Sequence, residues 1–167
     1  MFILGVDPGL SRCGWAVAAF KKNLPTLASA ELLDCGVIKT PTDWPVNKRL
    51  VMLKSALEGL ITSYTLDAVV VERVFFQSNA KTAMSVGQAS GIALLVATER
   101  QLAVYQYSAN EVKLAVAGYG SAQKSQVQKM VAKLFGLSVP PTPADVADAL
   151  GLAYCHFRKQ KYLKEIC

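Results

Sequence analysis

The chain has 167 residues, 52% hydrophobic and 18% charged, which suits one domain with a substantial core and excludes a disordered chain. Eighteen Lys and Arg against twelve Asp and Glu leave a net charge of +6, an excess that suits a polyanionic partner. The nearest approach to a membrane span is the short apolar run Gly91 to Ala97, far below the roughly 20 residues a bilayer requires. The first residues lack the basic-then-apolar pattern of a secretory signal. Cys13, Cys35, Cys155 and Cys167 form no Cys-x-x-Cys pair, and His156 is the one histidine. Neither a zinc site nor a disulfide framework has spacing support, so reduced thiols in a cytoplasmic protein are expected.

The first predicted element is the strand Phe2-Ile3-Leu4-Gly5-Val6, without polar alternation and so expected to be buried on both faces. It delivers Asp7 to the edge of the core, where Pro8-Gly9 turns the chain. Asp7 there reads either as a cap for the turn or as the holder of a metal ion or phosphate-bound cation. Gly14 to Phe20 predicts a second strand returning as a hairpin, and Thr26 to Ile38 a third extended stretch, broken near Glu31. Together they predict an antiparallel meander.

Pro41 to Pro45 reads as a linker. Leu50, Leu53, Leu57, Leu60, Ile61 and Tyr64 then recur at helical spacing. Ala68 to Val71 predicts a second wholly apolar strand, ending at Glu72, which repeats the opening design. Phe75-Phe76-Gln77-Ser78-Asn79 reads as a loop whose paired aromatics either anchor it or stack on a base. Ala80 to Arg100 predicts a helix rich in small residues, suited to close approach by another helix. Val104 to Tyr107 predicts a short strand, and Ser108 or Asn110 caps a helix reaching Val116. Gly118-Tyr119-Gly120 interrupts it, Ser121 opens a further helix ending at Gly136, and a last helix begins near Ala144. The basic stretch from Phe157 onward reads as a solvated, frayed terminus. The expected division is one domain over 1–157 and a basic tail over 158–167. The order β-β-β-α-β-α-β-α-α-α predicts an α/β protein with a mixed five-stranded sheet flanked by helices.

Four carboxylates stand out. Asp7 and Glu72 end two apolar strands, and would meet at one sheet edge if those strands are neighbours. Asp145 and Asp148 lie three apart, on one helix face, although acids also favour a helix N-terminus for its dipole alone. Gathering four carboxylates is repulsive without cations, and oxygen ligands suit hard divalent ions such as Mg²⁺. Lys113 and Lys124 flank the Gly118–Gly120 break, where a helix N-terminus offers N–H groups to a phosphate. A basic surface beside an acidic site points to a nucleic-acid backbone.

Six segments carry a family resemblance. Leu4-Gly5-Val6-Asp7-Pro8-Gly9, Val71-Glu72-Arg73-Val74-Phe75-Phe76, Val86-Gly87-Gln88-Ala89, Val112-Lys113, the run Gly118 to Val127 and the run Ala144 to Leu150 resemble the RuvC Holliday-junction resolvases. The match keeps its order from about Phe2 to His156. It implies an RNase H-like fold and a homodimer that cuts two strands of four-way junction DNA symmetrically, with the RuvA–RuvB branch-migration complex as partner. It implies catalytic and metal-binding roles for Asp7, Glu72, Asp145 and Asp148, with two Mg²⁺ ions (Mn²⁺ as substitute) that Asp7 would bridge. It implies DNA-binding roles for Lys113, Lys124 and Phe75, and places the dimer interface on the helix Ala80 to Arg100. Arg73 and Ser78 depart from the family, which usually has Gln or Glu, and often Lys, at those positions. In some members the position of Asp145 is His. Two other classes keep a test: an actin- or Hsp70-like ATPase would hydrolyse ATP without DNA, and a non-cleaving junction binder would shift DNA without cutting it under Mg²⁺ or Mn²⁺.

Overall fold

Apolar, β-branched strands too short to bury themselves must stack on neighbours, and the connections between them decide how. In the computed structural model, which describes residues 1–21, 30–74 and 80–166, the chain opens as a meander. Its strands are β1 (Phe2–Asp7), β2 (Arg12–Phe20) and β3 (Ala30–Lys39), followed by helix α1 (Val46–Thr62) and strand β4 (Ala68–Glu72). Helix α2 (Ala80–Glu99) leads to β5 (Ala103–Tyr107), and α3 (Ala109–Ala117), α4 (Lys124–Leu134) and α5 (Ala144–Ile166) complete the chain. This is the expected order of elements. The five strands form one sheet in the order β3-β2-β1-β4-β5. Short connections make β1–β2 and β2–β3 antiparallel, whereas the α1 and α2 crossovers make β1–β4 and β4–β5 parallel. The mixed five-stranded sheet read from the sequence is therefore present.

Side chains alternate across the sheet and sort into two cores. Leu4, Val6, Val17, Val69 and Val71 pack with Leu53, Leu57 and Ile61 of α1 and Ala89, Ala93 and Val96 of α2. Ile3, Ala16, Ala18 and Val70 pack on the other face with Val112 and Val116 of α3, Val127 and Val131 of α4, and Ala149, Leu150 and Ala153 of α5. The result is a helix pair, a sheet, and a three-helix layer. Helix α5 lies against the sheet because its floor is glycine: a Cβ on Gly5 would stand 2.0 Å from the Ala149 carbonyl oxygen, and one on Gly14 2.5 Å from that of Asp145. No side chain fits at either contact.

Two boundaries differ from the sequence reading. Helix α4 begins at Lys124 rather than Ser121, with the Gln123 N–H donating to the Gln126 side chain at 2.8 Å. The stretch from Phe157 is not frayed over residues 157–160 but continues α5, because it has partners in the fold. Phe157 stacks on Phe20 with ring centroids 4.6 Å apart, and Lys159 pairs with Glu111 of α3. The first part of the expected Thr26 to Ile38 stretch lies outside the described residues. Among the described residues no helix is long and apolar enough to cross a membrane.

Candidate active site

Register brings the first two carboxylates together. In the parallel β1–β4 pair Val6 stands opposite Val71, so Asp7 and Glu72, one residue further on, end adjacent strands side by side. The alternation that puts Val6 and Val71 against α1 and α2 turns Asp7 and Glu72 to the α5 face. Gly14 is the antiparallel partner of Asp7, and its missing side chain lets the Asp145 backbone settle over that strand end. Asp145 and Asp148, three apart in the opening turns of α5, thereby face Asp7 and Glu72. The structure brings all four together.

Electrostatics follow from that geometry. Burial first, then the charges of Glu72, Asp148 and Asp145, push the Asp7 carboxyl up to about 7. Holding Asp7 ionised there costs up to about 4 kcal/mol, comparable to the gain from burying two or three Val or Leu side chains of the same strands. Glu72 is also raised, by burial and by Asp148. The helix-borne acids differ because they have cations. Arg12 Nη2 donates to Asp145 Oδ2 at 2.7 Å, and Lys124 Nζ to Asp148 Oδ2 at 2.6 Å. Burial works against ionisation of Asp145, but Arg12, its own backbone N–H and Lys124 hold it below the usual carboxylate range. The bond to Asp148 raises Lys124 in turn.

As the side chains stand, no three Asp, Glu, His or Cys groups among the described residues close around one point as a metal cage would. Donor chemistry nonetheless fits a hard divalent cation: four carboxylates, with the half-buried Asp7 pushed up by desolvation and by its acidic neighbours. Cys13, buried beneath the site, is pushed up to about 12 by burial, so a thiolate is not among the donors.

Beside the acids lies a cleft of about 230 Å³, lined by Glu72, Asp148, Lys113, Lys124 and an apolar wall of Ala109, Val112, Val127 and Leu152. Lys113 and Lys124 thus share one cleft with two of the four acids. Gly118, at φ +87°, ends α3 with its N–H bonded to the Leu114 carbonyl, and the turn that follows lets Lys124 reach back to Asp148. The Gly-rich break is thus a helix stop. Arg73 does not pair with the acids: its Nη2 donates to the Gln106 carbonyl at 3.1 Å, directing the charge along the edge of β5. Phe75, Phe76 and Ser78 lie outside the described residues.

Sequence reading missed Arg12 and Arg49. Arg49 of α1 is 8% exposed; its Nε donates to Thr40 Oγ1 at 2.9 Å and its Nη2 to Ser11 Oγ at 2.6 Å. Thr40 Oγ1 in turn donates to the Leu10 carbonyl at 2.5 Å. The buried guanidinium ties α1 to the turn after Asp7, and so sets where that turn presents Arg12. Its one visible sequence signal was a cation on the apolar side of a helix, three residues before Met52 and four before Leu53.

Known proteins match this chain along most of its length. The family model for the crossover junction endodeoxyribonuclease RuvC matches residues 3–156. A relative from Leifsonia xyli, named crossover junction endodeoxyribonuclease RuvC, is 45% identical over 92% of this chain and 72% of its own length. The Thermus thermophilus RuvC structure superposes with a TM-score of 0.87 at 33% identity, covering 99% of this chain and 96% of that one. The same organism's RuvC in complex with Holliday junction substrate gives 0.89 at 34% identity, covering 97% and 96%. These matches carry the RNase H-like fold that the resemblance implied. Matching family model, close relatives and shared fold agree: this chain belongs to the crossover junction endodeoxyribonuclease RuvC family.

Proposed function

We propose that this protein is a Holliday-junction resolvase: a homodimer that hydrolyses a phosphodiester in each of two strands of four-way junction DNA, in recombination and repair alongside a RuvA–RuvB complex. The observation that carries the reading is the register of β1 and β4, which sets Asp7 beside Glu72 and turns both towards Asp145 and Asp148. Those four residues would hold divalent cations, Mg²⁺ or Mn²⁺, two to a site. When bound, such ions make a water molecule nucleophilic and offset the charge on the departing oxygen.

The chain's own groups supply the rest. Lys113 and Lys124 reach the cleft from two helices and would bind phosphate oxygens on either side of the scissile bond. The apolar wall of Val112, Val127 and Leu152 would take the sugar face of the strand and exclude bulk water, which strengthens every charge interaction beside it. Phe75, in the segment after Glu72, would stack against a junction base. A net charge of +6 favours approach to the phosphate backbone.

The decisive variant is Asp7→Asn, which keeps the side-chain shape but removes the central charge. On a synthetic four-way junction with Mg²⁺ we expect cleavage to fall at least 100-fold or so, in line with loss of a principal electrostatic contributor, while gel-shift binding in Ca²⁺ persists. Cleavage at the wild-type rate would reject the acidic cluster as the catalytic centre.

A further inference from the structure

The four acids fall into two unequal pairs. Among the described residues, Asp7 and Glu72, on the strand ends, have no cation within ion-pair distance, whereas Asp145 and Asp148, on α5, each hold one. Lys124 lies in the DNA-facing cleft. Arg12 stands outside the lining of that cleft, at the first position of β2, and its side chain is 45% exposed. A guanidinium so placed can swing to a phosphate oxygen, which it binds as readily as a carboxylate.

We infer that Arg12 is a resident counter-cation of the site: it holds Asp145 away from a divalent ion until a DNA phosphate draws it off. The inference rests on the metal reading proposed above. The 2.7 Å bond engages Asp145 Oδ2 and fixes how that carboxylate is turned, so the guanidinium and a divalent cation compete for the same group. Backbone geometry sharpens the competition. The Asp145 backbone is packed directly onto Gly14, so a change of partner falls to its side chain. A phosphate arriving at the exposed guanidinium therefore releases the carboxylate, and metal affinity becomes coupled to DNA. By linkage the coupling is reciprocal: whatever factor DNA adds to metal affinity, the metal adds to DNA affinity. The acids would be kept satisfied in the free enzyme and become fully ligating beside a substrate. Arg12 is a positioning residue here, acting through Asp145.

The test is a direct Mn²⁺ titration, by electron paramagnetic resonance of the free ion, on the full chain with and without a non-cleavable phosphorothioate junction. Wild type, Arg12→Gln, Arg12→Lys and Asp7→Asn are compared after thermal unfolding confirms that each is folded. We expect Arg12→Gln to bind Mn²⁺ about fivefold or more tightly than wild type without DNA, with the further gain on adding junction shrinking by a similar factor. Arg12→Lys, which restores a cation, should return most of the wild-type behaviour. An Arg12→Gln affinity equal to or weaker than wild type, with Asp7→Asn having lost Mn²⁺, overturns the role of Arg12 alone. Undiminished Mn²⁺ binding by Asp7→Asn overturns the metal reading itself, and this inference with it.

Discussion

Two single residues oppose each other in how this protein should respond to pH. His156 is 1% exposed, its ring centroid 4.1 Å from that of Tyr105 and its Nδ1 2.9 Å from the Tyr107 hydroxyl, and burial pushes it down to about 4. Unfolded, it would titrate near 6.5, so it takes up a proton more readily in the unfolded chain. Its contribution is complete above about pH 6.5 and is lost as pH falls towards 4, by up to about 3 kcal/mol. Asp7 does the reverse. Raised from 3.8 to about 7, it is protonated first in the folded state, so stability rises as pH falls through that range, by up to about 4 kcal/mol. Glu111, held down to about 2 mainly by Lys159 and Ser108, loses its contribution as pH falls from about 4.5 towards 2, mostly below the other two windows. Urea unfolding in EDTA between pH 7.5 and 4 should therefore show a shallow dependence in wild type. His156→Gln should gain stability on acidification and Asp7→Asn should lose it; parallel curves in all three would refute both assignments.

At the scale of elements, the site is made by the way α5 crosses the sheet. The contact depends on two glycines whose conformations are ordinary but whose missing side chains are not replaceable, since a Cβ at Gly14 would fall 2.7 Å from that of Asp145. Overpacking of this kind costs about 1–3 kcal/mol, because the helix must shift as a body. Gly14→Ala should fold with a lowered melting temperature, yet lose Mg²⁺-dependent junction cleavage out of proportion, since the displaced turn carries Asp145. Gly5→Ala, where the overlap falls on the Ala149 carbonyl in mid-helix, should cost more stability. A Gly14→Ala enzyme with wild-type turnover would show that α5 need not lie this close. The opening apolar strand thus has a second duty in Gly5, whose missing side chain lets α5 lie against it. A gap in a hydrophobic run says nothing about which backbone will fill it.

At the scale of the molecule, helix α2 leaves a stripe open. Ala89, Ala93, Val96 and Ala97 are buried against the sheet, while Met84 and Leu95 are 67% and 47% exposed, and Gly87 and Gly91 would each accept a Cβ with nothing within 4 Å. Met84, Gly91 and Leu95 recur at helical spacing on one side, as a helix facing a second copy would require. On the proposed dimer, Leu95→Arg should shift the light-scattering mass from about twice 18.0 kDa towards the single-chain value and reduce paired strand cleavage to single nicks. A dimer that survives this substitution would place the interface elsewhere.

Much of this was legible in the residues themselves. Wholly apolar runs ending in Asp7 and Glu72, helical spacing in 50–64 and the three-residue step from Asp145 to Asp148 are local signals. Strand and helix periods report them directly. They determined the order of elements, the sheet, the four acids and the family. What they could not contain is which side chain meets which across the fold. That Arg12 would bond Asp145, 133 residues away, that Arg49 would be buried between Ser11 and Thr40, or that the basic stretch after Phe157 would dock through Lys159 on Glu111, depends on tertiary neighbours. A charge on a strand end or a helix face has no partner until the chain closes. Sequence alone therefore singled out the four acids, and tertiary structure decided which of them bond cations: among the described residues, Asp145 with Arg12 and Asp148 with Lys124.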